Sequence, residues 1–165
     1  MLIYHPAFDI YHGAFRALLL LENSPGRSMP ADTLRIVDLY LMFPYLLADL
    51  EFPKGAGKEG RRLAGTMSRF NRLPSPRIFL SQTRALHVLV TSALAGKNLI
   101  SADALAEGDV SRTDQPVPGD LLSRADERDL ELATYLGSRI ATIPLLGKKG
   151  LKERSKLMEF RYDPA

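Results

Sequence analysis

Residues 8–23, FDIYHGAFRALLLLEN, constrain the fold more than any other stretch of the chain. On a helix of 3.6 residues per turn, Asp9, His12, Gly13, Arg16 and Asn23 fall on one narrow stripe, three and four residues apart. Nearly everything else is Phe, Ile, Tyr, Ala or Leu. A helix apolar round most of its circumference belongs inside a domain rather than on its surface. Its polar stripe must then be paired or must line a cleft, because an unpaired buried charge is costly. Pro6 sets an extended approach to this helix, and Asp9 in its first turn suits the positive helix end. The turn cluster Asn23-Ser24-Pro25-Gly26 stops it.

Can the rest of the chain surround such a helix? With 165 residues and 45% hydrophobic content, one globular domain spanning 1–165 can bury a sizeable core. No apolar run reaches the roughly 18 residues of a membrane span, and the first residues lack the pattern of a signal peptide. No membrane role is expected. The absence of cysteine excludes a disulfide framework and thiolate chemistry. These features suit a cytoplasmic protein. The net charge of +3 is small, but it is unevenly spread. Residues 54–77 hold seven Lys or Arg against one Glu, residues 101–131 nine acidic residues against three Arg, and residues 147–161 six basic residues against two Glu.

A second helix is predicted over 31–43, with Pro30 at its start and Asp32 in its first turn. It is apolar apart from Arg35 and Asp38, and Pro44 ends or kinks it, with helical turns continuing over 45–50. Asp38 in so apolar a run calls for a salt bridge or hydrogen bond to Arg16 or Arg35; the alternative is a functional carboxylate. Residues 52–60 read as a loop because of Pro53, Gly55, Gly57 and Gly60. A third helix is predicted over 59–72 and a fourth over 79–95, the latter ending at Gly96. Short strands are predicted at 98–101 and 108–112 around a helical turn at 102–106, making a small flap. A fifth helix is predicted over 120–143, closed by Pro144. Over 151–163, alternation of Leu157, Glu159 and Arg161 with Met158, Phe160 and Tyr162 predicts a terminal strand. The whole reads as mainly α: a compact helical domain, winged-helix-like, with a β flap and a C-terminal strand.

Motifs for chemistry are weak. GAGK at 55–58 invites a phosphate-binding reading, but Phe52 occupies the first Gly position and Glu59 follows Lys58, so the nucleotide loop fails. His5, Asp9 and His12 have ligand-like spacing, yet Pro6 places His5 before the helix that would present the other two. No Gly-x-Ser-x-Gly is present for a serine nucleophile. His87 reads as a packed or capping histidine rather than a ligand. No catalytic residue, metal or cofactor is expected. A nucleic-acid surface is more credible: Lys54 and Lys58 lead into Arg61, Arg62, Arg69 and Arg72, which together would contact phosphates. The acidic stretch 101–131 reads either as a partner face or as a cover for this basic one.

YHPAFDIYHGAFRALLLL at the start, RIVDLYLMFP in the middle and GKKGLKERSKLMEFRYD at the end resemble the middle component of bacterial ABC three-component systems. The resemblance is closest over the first 50 and last 20 residues. It implies a non-enzymatic adaptor or regulator between an ABC-type, SMC-like ATPase and an effector protein, in defence against phage or plasmids. It assigns no catalytic residues. The polar positions matching the motifs are Asp9, His12, Arg16, Asp38, Lys152, Glu159, Arg161 and Asp163, and all but Asp163 are candidates for buried polar or interface roles. The alternative is a stand-alone winged-helix regulator that binds DNA directly.

Overall fold

Asp9 opens the first helix, α1 (Ile10–Glu22), as its N-cap: the carboxylate accepts the His12 backbone N–H at 3.0 Å. From Ala17 to Leu21 every side chain is buried, so this turn and a half is surrounded by protein. These features belong to a computed structural model that describes residues 8–65 and 72–162.

A 3-10 turn (Pro25–Arg27) and a three-residue strand, β1 (Ser28–Pro30), lead into α2 (Ala31–Met42). Arg35 apart, α2 is buried from Thr33 to Leu41, so it shares the centre of the molecule with α1. Pro44 ends α2, and a 3-10 segment (Pro44–Asp49) continues the path. α3 (Gly57–Ala64) packs on that segment. It begins inside the stretch predicted as a loop. Gly60 is required there, because a Cβ would lie 2.3 Å from the Phe52 ring and 2.5 Å from the Tyr135 hydroxyl. Helix propensity is overridden by close approach. Gly65, at φ 62°, closes α3, and the remainder of the predicted helix, with Arg69, falls at residues 66–71, outside the described residues.

The helix predicted over 79–95 is two, α4 (Pro76–Gln82) and α5 (Arg84–Gly96), bent by 45°. The buried Thr83 sits at the bend, its hydroxyl donating to the Leu80 carbonyl at 3.0 Å, a bond that competes with regular helix. Among the described residues no single helix is long and apolar enough to cross a membrane.

Ser101 caps α6 (Ala102–Ala106), which turns into β2 (Asp109–Ser111). β2 pairs antiparallel with β1, Met29 opposite Val110. The predicted flap between 98–101 and 108–112 reduces to one bridge, Ile100 with Arg112. The ladder therefore joins distant parts of the chain, unlike the local hairpin of a wing. α7 (Glu127–Tyr135) starts seven residues later than predicted, since the Asp126 carboxylate accepts the Asp129 N–H at 2.7 Å and fixes the start there. It widens into a π turn (Leu136–Ile140), with the Ala141 N–H reaching the Leu136 carbonyl at 2.7 Å.

The predicted terminal strand is instead α8 (Leu151–Ser155), stopped by Lys156 in the left-handed region at φ 57°, with irregular chain beyond. Hydrogen bonds account for the difference. The Leu151 N–H binds the Pro144 carbonyl at 2.8 Å, and the Arg154 guanidinium binds the carbonyls of Lys149 and Glu51 at 2.5 and 2.8 Å. Leu151 and Leu157 enter the core, but Tyr162 is 90% exposed, so alternation never develops.

Candidate functional site

Three helices meet at a buried charge. Asp38 of α2 is 2% exposed and accepts two bonds from Arg16 of α1, at 2.6 and 3.2 Å. His87 of α5 places its Nε2 3.1 Å from Asp38 Oδ2, the oxygen that also accepts the longer Arg16 bond. Burial pushes the Asp38 carboxyl up, but Arg16 and His87 overcome it and hold the group below the ordinary carboxylate range. Arg16, one of the two partners foreseen, is the one that pairs; Arg35 turns elsewhere. His87 is the packed histidine expected, and its partner is this carboxylate. The other polar positions of α1 are also satisfied. His12 Nδ1 lies 3.2 Å from Asp9, and Asn23 donates to the Leu19 carbonyl and accepts from Thr134. His5 and Asp163 fall outside the described residues.

A cleft of about 480 Å³ opens between α2, the α4–α5 bend and the C-terminal segment. Arg35 donates to Asp32 at 3.0 Å and to the Leu80 carbonyl at 2.8 Å, while its buried Nε has no acceptor among the described residues. Lys152 of α8 reaches Asp32 at 3.8 Å. Arg77 of α4 meets Glu159 at 3.3 Å on the exposed rim. The Glu159 carboxyl is held low first by the backbone N–H of Arg161 and further by that of Phe160 and by Arg77. Arg84 of α5 also lines the cleft and has no ion-pair or hydrogen-bond partner among the described residues. The structure thus brings Lys152 and Glu159 together in one place. The Arg161 side chain is exposed at the chain's surface. Asp32, Arg77 and Arg84 were not singled out by sequence, although Arg77 and Arg84, seven apart in an apolar stretch, carried a signal.

The basic surface is less free than its composition suggests. Arg62 is bonded to Glu131 at 2.5 Å, so part of the acidic stretch does fold onto the basic one. Arg61 lies over the Phe52 ring at 5.5 Å and Arg72 over the Tyr45 ring at 5.9 Å. Lys54 and Lys58 are exposed. A second buried ion pair escaped the sequence reading altogether. Arg112 donates to Glu22 at 2.6 Å and to the carbonyls of Leu99 and Gln115, tying the β2 end to α1.

Among the described residues no group of three or more His, Cys, Asp or Glu could hold a metal ion. No curated protein and no solved structure matches the chain. The family model described as ABC-three component (ABC-3C) system Middle Component 5 matches residues 2–163, essentially the whole length that carries the buried junction and the cleft. The chain belongs to this family of ABC three-component middle components.

Proposed function

We propose that this protein is a non-enzymatic adaptor that joins the ABC-type ATPase of its system to an effector protein, in the cytoplasm, as part of a defence against phage or plasmids. Family membership over residues 2–163 carries the reading, because a middle component implies partner components. The geometry supports it in two ways. Asp38, the most deeply placed carboxylate among the described residues of the motif regions, is held by Arg16 and His87 and is out of reach of a substrate. α5 presents Val88 and Leu89 at 57% and 54% exposure, apolar surface of the kind that partners cover.

The second reading, a stand-alone regulator that binds DNA directly, draws on exposed Lys54 and Lys58 beside Arg61.

A challenge assay separates these roles from an idle one. Cells carrying the intact operon are compared with cells lacking this gene, and with cells carrying Val88→Glu together with Leu89→Glu. Loss of protection in both, with the variant folded by circular dichroism, is expected. Full protection without the gene overturns the proposal.

A further inference from the structure

We propose that the cleft lined by Arg35, Arg77, Arg84 and Lys152 binds a phosphate group carried by a small molecule. This goes beyond the adaptor reading and does not depend on it.

Among the described lining residues four cations face two carboxylates, Asp32 and Glu159, so cations outnumber anions around the opening. A phosphate monoester carries about −1.5 to −2 at neutral pH on three acceptor oxygens, which matches that excess. The donors are in place. Arg84 has no intramolecular partner among the described residues, and Arg35 is held in the lining by its bonds to Asp32 and the Leu80 carbonyl. Guanidinium groups present paired N–H donors that fit phosphate oxygens. At about 480 Å³ the cleft is in the size range of small-molecule sites, and Leu80, Leu157 and Met158 supply apolar wall for the remainder of a ligand. An acidic peptide fits less well, because its single charges are spread along a chain, whereas these cations converge from α2, α4, α5 and α8 on one volume.

Glu159 behaves as an internal competitor. Its carboxylate already sits on Arg77 at the exposed rim, and an arriving phosphate would replace it. Ligand binding would thereby release the C-terminal segment after α8 from α4, which gives a small molecule a way to alter a surface that partners contact.

The test uses the full chain and inorganic pyrophosphate as probe, titrated by calorimetry at constant ionic strength, with a hexaglutamate peptide in parallel. Saturable pyrophosphate binding is expected. Arg84→Ala should weaken it by about tenfold, the effect of losing one charge-assisted bond. Glu159→Gln should tighten it several-fold, because the competitor is neutralised while the site's cations remain. Arg61→Ala, in α3 and outside the cleft lining, should leave it unchanged. Absence of saturable binding overturns the proposal. So does binding that ignores Arg84→Ala, binding that Arg61→Ala reduces equally, or tighter binding of hexaglutamate than of pyrophosphate.

Discussion

Replacing Asp38 with Asn preserves volume and removes one charge, and so isolates the electrostatic role of the buried junction. Asp38 is 2% exposed and its partners' side chains are only 11% (Arg16) and 12% (His87) exposed. The variant leaves the Arg16 guanidinium buried without a counter-charge, a loss of about 3–5 kcal/mol in comparable sites. For a domain of 150–250 residues each kcal/mol moves the melting temperature by about 2–4 °C, so Asp38→Asn should lower it by roughly 6–20 °C. Replacing Arg16 with Met and Asp38 with Leu together should recover most of that loss, since a buried pair exchanged for apolar groups of similar size is often near neutral. Acid provides an independent check. The folded Asp38 carboxyl titrates below its unfolded value, so its contribution is present above about pH 4 and is lost as pH falls through the folded value. The variant should therefore show a shallower fall in stability below pH 4 than the wild type. Differential scanning calorimetry and acid titration by circular dichroism read both. A shift under 2 °C, or an unchanged acid limb, refutes the reasoning.

Gly60→Ala should destabilise the α3 contact by about 1–3 kcal/mol, because its Cβ would meet the Phe52 ring and the Tyr135 hydroxyl; urea unfolding measures it. Deleting residues 151–165 removes the buried Leu151 and Leu157, about 3–6 kcal/mol by area, together with the Arg154 bonds to Glu51 and Lys149. The shortened chain should unfold or aggregate in a solubility and melting assay, whereas Glu159→Ala and Arg161→Ala should melt normally. If duplex DNA binds, replacing Arg61, Arg62 and Arg69 with Ala should flatten the salt dependence by only about one to two units. Arg62 already has Glu131 as its partner, and each phosphate contact contributes about 0.9. A slope unchanged by the triple variant places any DNA surface elsewhere.

Periodicity and burial logic made much of the helical frame legible. The apolar run at 17–21 demanded a central helix, and the isolated Asp38 demanded a cation, which Arg16 supplies. What stayed hidden was set by contacts distant in sequence. Gly60 looks like a loop residue until Phe52 and Tyr135 close on it. Strand β1 is three residues long, too short for a pattern, and exists because β2 arrives from some 80 positions away. The terminal alternation at 157–162 is genuine in the sequence, but among the described residues no neighbouring strand receives it, and Arg154 holds the preceding residues as helix. The cleft was half visible: Lys152 and Glu159 were marked by the family motif. Arg77 and Arg84 joined them only through the bend at Thr83.

The adaptor claim is tested most directly by reconstituting the three proteins of the operon, with this chain present or omitted, and measuring co-elution of ATPase and effector by size-exclusion chromatography with light scattering. One complex containing all three, falling apart into separate ATPase and effector when this chain is left out, is the predicted result. An ATPase–effector complex that forms equally well without it, while this chain elutes alone, would contradict the account.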